Sequence, residues 1–581
     1  MSQDRPAFYI FLLCLNLYFS GQDLYKGLEV AEFSTLSITQ EEKAFYERVA
    51  PSFGGQHFPI PLPTETPRER TEQRCAFRNQ RCLYRRECDL TGQSHITIYK
   101  PQTPFPVYSI EAFWGDGWEA TDFGLPYDPQ RGFMEQVAEL YNQVPRLGMM
   151  NRQCQNSEYC NYSYSNKNCY LVFSSHYEED CFYGNCSSKN KFCMDYHWCA
   201  QCELCYECLF SSNCYHSVHL DHCSSCYESW FCIDCRSCKH CLFCANLRHK
   251  EYCIFNEQLS KEEYFRRLEE LRLDSYSGFG AAREIFLYDM RARFPFRAVH
   301  QVQCENCEGT DHTESRNIQA CFQADTTEDT LYSTYLGQTY DCVDVNYMGF
   351  DRCELSYQCI GCTSLFHGIA CDSCWHCSEL LYSSYCFSSH NCLGCISLKH
   401  KDYCILNRQY SKEEYEKLAA QIVASMVQDG SWGQFFPKAM SAFGHNETVA
   451  SEWYARDRDS ATAAGFNWLE KEDPAHAAEA CAVPDSINDV TDDLVQATLI
   501  CEETGKPYKI ETSELNLLRK IGVPVPHVCP DARQKNRLKL HSPWELWTRK
   551  CAKTGVELRT TFAPDRPERV YAVEAYLKEF E

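Results

Sequence analysis

The side chains of this chain best suited to chemistry are its thiols. "CYECLFSSNCYHSVHLDHCSSCYESWFCIDCRSCKHCLFC" (Cys205–Cys244) sets them three residues apart again and again. Thiols in such a pattern can hold a soft metal, exchange disulfides, or pack as small apolar core residues. Of 41 cysteines, nineteen fall between Cys154 and Cys253 and fourteen between Cys304 and Cys404. Under the metal reading, zinc is the candidate ion. Its candidate ligands are Cys199, Cys202, Cys205, Cys208, Cys232, Cys235, Cys238, Cys241 and Cys244, since one C-x-x-C supplies half a tetrahedral site. A period of three produces C-x-x-C automatically, however, and the C-x-x-x-C-P ending of bacterial ferredoxins does not occur. The core reading needs only a narrow interior. The disulfide reading needs secretion.

The spacing limits the structure that positions these thiols. Between Cys154 and Cys253, eighteen of nineteen cysteines share one phase modulo three, with Cys186 the exception; the ten from Cys353 to Cys404 also share a phase. An α-helix turns in about 3.6 residues and a flat strand repeats at two, so neither keeps this phase. Long 3₁₀ runs are rare, and the blocks lack the proline that would favour polyproline II. A parallel β-solenoid with very short sides keeps it, one small residue pointing inward from each side. Steps of twelve and nine both occur, leaving the length of a coil open.

Two internal repeats nest. "CANLRHKEYCIFNEQLSKEEYFRRLEEL" (Cys244–Leu271) matches "CISLKHKDYCILNRQYSKEEYEKLAAQI" (Cys395–Ile422) at an offset of 151. Each block ends in "SKEEY", a Ser followed three residues later by Glu, which starts a helix. "RRECDLTGQSHITIYKPQTPFPVYSIEAF" (Arg85–Phe113) matches "TRKCAKTGVELRTTFAPDRPERVYAVEAY" (Thr548–Tyr576) at 463. The plan is therefore A–B–B′–A′. Residues 1–28 form an N-terminal apolar extension and 29–150 module A. Block B covers 151–275 and block B′ 276–428, each ending in a helix. An aromatic loop and helical segment occupies 429–500, and module A′ covers 501–581.

Both end modules have the outline of paired zinc knuckles that have lost ligands. In A′, Cys501 and Cys529 remain of one set, with Thr504 and Ala532 at the other two positions. Cys551 alone remains of the second, beside Thr554, Ala572 and Ala575. In A, one set reads Glu29, Glu32, Thr66 and Glu69, and the other keeps Cys88 beside Thr91, Ser109 and Ala112. No set has four thiolates, so no metal is expected at either end. The expected fold is mainly β with flanking helices: two tandem Cys-ladder parallel β-solenoid-like blocks, capped by zinc-ribbon-derived α+β modules at both ends.

The stretches "AFRNQRCLYRRECDLTG", "NSEYCNYSYSNKNCYLVF", "ELCYEC", "LRHKEYCIFNEQLSKEEY", "GSWGQFFP", "FGHNETVA" and "VPVPHVCPDARQKNRL" carry a resemblance. The chain resembles a group of Cys-rich zinc-ribbon proteins of small-genome, Patescibacteria-type bacteria, some of which bear the name CaiB/BaiF family protein. The resemblance implies a cytosolic zinc-ribbon protein and no particular activity. The chain departs from that pattern at the ribbon thiols. It also shows no Asp nucleophile in a recognisable α/β context, as a CoA-transferase would need.

Two further clusters invite a function. "RTEQRCAFRNQRCLYRR" and "RQKNRLKLHSPWELWTRK" interleave cations with aromatics, which suits RNA or single strands. Arg78, Arg81, Arg85, Arg533 and Arg537 are the candidate contacts. The alternative is a solvated helix face, and a net charge of −24 opposes general polyanion binding. "HSVHLDH" (His216–His222) is expected to lie exposed on turns, and His249 and His400 to be satisfied histidines at the ends of their stacks. No P-loop, dinucleotide fingerprint, G-x-S-x-G or H-E-x-x-H occurs. The apolar run Phe8–Phe19 is too short to span a bilayer, and neither its uncharged flank nor its cleavage region suits a signal peptide. The sequence thus points first to a non-enzymatic cytoplasmic scaffold or interaction protein with a protein partner and no membrane span. Nucleic-acid or ribosome association is the second reading. A thiol–metal redox carrier or enzyme is the third, and secretion is the alternative location.

Overall fold

The computed structural model describes residues 34–347, 352–360, 368–372, 378–470 and 481–581. The N-terminal extension 1–28, and Glu29 and Glu32 of the first ligand set, lie outside the described residues. Strands, several of them in parallel sheets, alternate with flanking helices. No described helix is long and apolar enough to cross a membrane.

In block B each residue triplet performs one step of a closed path. The first residue pairs in parallel with the residue twelve further on, from Gln155↔Lys167 to Arg236↔Arg248. The second adopts a left-handed conformation, as at Asn168 (φ 53°), Asp180 (φ 53°) and Asn213 (φ 54°). The third, in the cysteine phase, points inward. The left-handed corner costs a non-glycine residue about 1–2 kcal/mol. It persists because both backbone groups at each step bond to neighbouring turns: Lys167 N–H donates to Glu178 O (2.8 Å) and Asp180 N–H to Lys167 O (2.9 Å). Of the two spacings in the sequence, twelve is the one at which residues of block B pair in parallel. Cys186, the one cysteine out of phase, occupies a left-handed corner (φ 49°) and is only half-buried.

Toward the end of block B the pairing widens into four-residue strands, and block B′ ends in strands of the same length. In B these include Lys239–Leu242 and Glu251–Ile254; in B′, His390–Leu393 and Asp402–Ile405. An antiparallel return closes each block, followed by helix Lys261–Glu270 or Lys412–Asp429. Ser260 and Ser411 cap these helices as "SKEEY" predicts. The offset of 151 holds here but not upstream. The pairing Thr339↔Cys353 spans two residues more than a regular coil, so before it B and B′ correspond at 149, and at 150 ahead of the register shift between Cys307 and Gly309.

The end modules cross over. Four helices matter: α1 (Gln40–Val49), α2 (Pro67–Cys75), α3 (Thr512–Ile521) and α4 (Pro530–Leu538). Module A lays α1 and α2 on block B′, where Phe45 and Tyr46 pack edge-on to Tyr357 (6.5 and 5.2 Å). Module A′ lays α3 and α4 on block B, where the Tyr183 hydroxyl donates to Glu514 (2.8 Å). Each module also holds the entry to the block on which it does not lay its helices: Thr97 donates to Gly148 O (2.8 Å) and Thr560 to Ala298 O (2.7 Å). The aromatic loop packs on B′ and A, with Trp432 and Phe436 against Tyr382, and Phe435 and Phe436 against Phe77.

Candidate functional site

The thiol interior is the first candidate. Cys199, Cys202, Cys205, Cys208, Cys232, Cys235, Cys238, Cys241 and Cys244 are all buried, in one cluster made almost wholly of cysteine. Their sulfurs are already engaged with backbone. Cys199 Sγ donates toward His197 O (3.5 Å) or Cys208 O (3.3 Å), and Cys235 Sγ toward Ile233 O (3.5 Å) or Cys244 O (3.6 Å). Buried serines of the same phase do the same: Ser211 Oγ donates to Leu209 O (2.7 Å) and accepts from Cys223 N–H (3.2 Å). Burial pushes the Cys199, Cys208 and Cys232 thiols well above their ordinary value, while contacts with neighbouring thiols hold Cys202 well below it. Among the described residues, no group of three or more His, Cys, Asp or Glu is placed to hold a metal ion. The candidate thiols do touch one another, Cys202 meeting Cys199, Cys205 and Cys214, and Cys238 meeting Cys235 and Cys241.

The interior also holds a polar site that the search for thiol motifs passes over. Glu178 is buried inside the coil, accepting from Tyr196 Oη (2.7 Å) and Asn190 Nδ2 (3.1 Å). Burial pushes its carboxyl far up, toward the neutral acid. Tyr196 fits because Gly184 stands one turn before it and leaves its ring the space of a side chain. Glu178, Gly184 and Tyr196 all share the cysteine phase, which is the signal that marks them as internal.

At the ends, three cysteines sit in turns of one geometry. Gly92, Gly505 and Gly555 (φ 69°, 67° and 75°) close turns whose N–H groups donate to Cys88 O, Cys501 O and Cys551 O (2.8, 2.9 and 2.9 Å). The opposed segment supplies an amide to each sulfur: Ser109 N–H to Cys88 (3.3 Å), Cys529 N–H to Cys501 (3.3 Å) and Ala572 N–H to Cys551 (3.2 Å). Thr504 Oγ1 lies 3.8 Å from Cys529 Sγ. Burial pushes the Cys551 thiol up, but Thr554 and these amides outweigh it and hold it down at about 7.

The basic clusters require a correction. Arg78, Arg533 and Arg537 are buried and Arg81 is largely covered, so none of the four presents a free cation to a phosphate backbone. Arg78 lies between the Tyr162 and Tyr347 rings (3.6 and 4.4 Å), and Arg81 over Phe173 (4.8 Å) beside Glu452 (4.0 Å). Arg85 is exposed and donates to Tyr159 Oη (3.0 Å). Arg533 and Arg537, one turn apart on α4, both bind buried Asp195 (2.7 Å each). Their repeat equivalents on α2, Arg70 and Arg74, bind buried Asp344 (2.7 and 3.3 Å). Asp195 and Asp344 are 149 residues apart, the structural offset of the two blocks, so one docking contact is used twice.

The histidines need a second correction, because "HSVHLDH" is not an exposed turn. His219 is buried against Phe231 (4.9 Å), and His216 bonds Ile521 O (3.1 Å). His222 donates from Nδ1 to Asp221 (2.6 Å) and from Nε2 to Asp311 of block B′ (2.8 Å), stacked between His300 (3.6 Å) and Phe210 (4.6 Å). Burial would push His222 down, but the two carboxylates outweigh it and raise it to about 10. Arg291 binds Asp221 as well (2.6 Å). His249 and His400 stand exposed at left-handed corners. A cavity of about 20 Å³, room for about one water, adjoins His222, His300 and buried His541 where B, B′ and A′ meet.

Neither nitrogen of His222 has a lone pair free for base catalysis. The geometry makes it a permanent cation linking the two blocks. Since its folded pKa is raised, this contribution is complete below the ordinary value of about 6.5 and is lost as pH climbs through the folded one. We expect urea unfolding of the protein to show falling stability toward pH about 10. His222→Gln should cost about 2 kcal/mol at neutral pH and flatten that limb. An unchanged alkaline slope in the variant would show that His222 is not the charged link.

No protein-family model matches the chain, and no curated protein matches it.

Proposed function

We propose that this protein is a non-enzymatic scaffold or interaction protein. In this reading B and B′ are two β-solenoid arms with a thiol-lined interior, and A and A′ are modules of zinc-ribbon descent that keep the knuckle turns without the metal. The observation that carries the reading is the fate of the reactive side chains. Thiols, arginines and histidines alike are spent inside the molecule, on backbone carbonyls, on Asp195 and Asp344, and on the His222 link. A protein partner and a reducing, cytoplasmic setting suit an interior lined with thiols. The nucleic-acid reading keeps one exposed residue of its five, Arg85.

Chelation with elemental analysis and melting separates this reading from a thiol–metal carrier. Serine already serves inside the coil at Ser211 and Ser229. For a scaffold, exhaustive chelation should leave the melting temperature unchanged. Replacing Cys235 and Cys238 together by Ser should change stability by no more than about 1 kcal/mol. Cys501→Ser should be equally mild. Loss of a full equivalent of metal on chelation, with a fall in melting temperature, would sink the scaffold reading.

A further inference from the structure

Among the described residues of the two blocks most thiols are sealed in; Cys304 and Cys307 are not. They open block B′ as C-x-x-C, both partly exposed, with Val302, Gln303, Glu305 and Asn306 around them exposed. Gln303 and Asn306 take left-handed corners (φ 55° and 53°), so both cysteines hold the inward phase on consecutive steps of the first turn. Each sulfur has a weak carbonyl contact, Cys304 with Val302 O (3.3 Å) and Cys307 with Ser315 O (3.3 Å). The two thiols are also in hydrogen-bond contact with each other, which pulls Cys304 down to about 6 and pushes Cys307 up. Deeper thiols share such contacts but lie where no reagent reaches. The corresponding mouth of block B has Cys154 with Ser157, one thiol where B′ has two.

We propose that Cys304 and Cys307 form a solvent-facing redox dithiol that exchanges with low-molecular-weight disulfides. Cys304 thiolate attacks one sulfur of the disulfide, forming a mixed disulfide and releasing one thiolate. Cys307, losing its proton to solvent, attacks Cys304 Sγ and displaces the second. The Cys304–Cys307 bond forms, the small disulfide's bond is broken, two electrons pass to it, and its halves leave as two thiols. Cys304 is the attacking group because its neighbour stabilises the thiolate and exposed chain surrounds it. The exchange needs no opening of the coil interior.

The test uses the full chain, fully reduced, in oxidised glutathione, quenched with acid at intervals, alkylated and mapped by peptide mass spectrometry. The first product should be the Cys304–Cys307 disulfide, formed at least about tenfold faster than any adduct at Cys154, which is partly exposed but has no partner thiol. Cys307→Ser copies the arrangement at the mouth of block B and should halt the reaction as glutathionyl-Cys304. The idea is overturned if wild-type Cys304 is modified no faster than Cys154, if either cysteine first pairs elsewhere, or if Cys307→Ser accumulates no adduct on Cys304.

Discussion

Replacing Asp195 by Ala should destabilise the protein by about 3–5 kcal/mol, the largest effect expected of any single substitution. Asp195 is fully buried and its two oxygens each take one guanidinium, Arg533 on Oδ2 and Arg537 on Oδ1 (2.7 Å each). Removing it leaves two buried cations whose remaining carboxylate contacts are the longer ones to Glu514 (3.8 Å) and Glu207 (3.6 Å), beside neutral acceptors at Val528 O (2.8 Å) and Gln534 Oε1 (3.0 Å). Arg533 remains charged despite burial, which would push it down, because Asp195 outweighs that cost. Asp195→Asn should cost less, since an amide oxygen still accepts; Arg74 already bonds Asn346 Oδ1 in block B′ (2.7 Å). The loss should be local first. Hydrogen exchange should quicken in α3 and α4 before it does in α1 and α2, because A′ is released from B while A remains on B′ through Asp344. Urea melts of both variants measure the cost. A change below about 1 kcal/mol for Asp195→Ala would mean that the docking contact is not what holds the module.

The second large effect lies inside the coil. Gly184→Ala should cost about 3 kcal/mol, because the new Cβ overlaps the Tyr196 ring with no room to withdraw. Tyr196 cannot swing away cheaply: it is fully enclosed, and its hydroxyl is one of two side-chain donors to the buried Glu178 acid. The two positions should therefore be strongly coupled. Tyr196→Leu alone should destabilise by opening a cavity and stranding Glu178, yet in the Gly184→Ala background it should recover part of the loss. A double-mutant cycle in urea should give a coupling of at least about 1 kcal/mol. Additive costs would show that the ring does not occupy the space beside Gly184.

Both effects follow from a coil only twelve residues around. So narrow an interior admits one side chain per step, and every such side chain touches the one a turn away. Small residues, cysteine above all, satisfy that constraint along most of its length. The Tyr196 ring is admitted because a glycine, Gly184, precedes it by one turn. The same geometry brings carbonyls of two turns to each sulfur, which is why serine replaces cysteine in the columns without leaving a hydroxyl unpaired.

How much of this was legible follows from the range of each interaction. The period of three, the capped helices after "SKEEY" and the repeats at 151 and 463 are local or nearest-turn constraints, so the sequence carries them directly. The phase of Glu178 and Tyr196 belongs with them, and so do the turns around Cys88, Cys501 and Cys551. Tertiary structure alone decided the rest. Whether Arg533 and Arg537 face solvent or a carboxylate depends on Asp195, more than three hundred residues earlier; whether His222 is an exposed base or a buried cation depends on Asp311 and His300 in the other block. A cation on a helix face looks the same in sequence whichever it meets. Only the crossing of the end modules onto opposite blocks brings each buried charge to its partner, and the cost of desolvating that charge makes the partner obligatory.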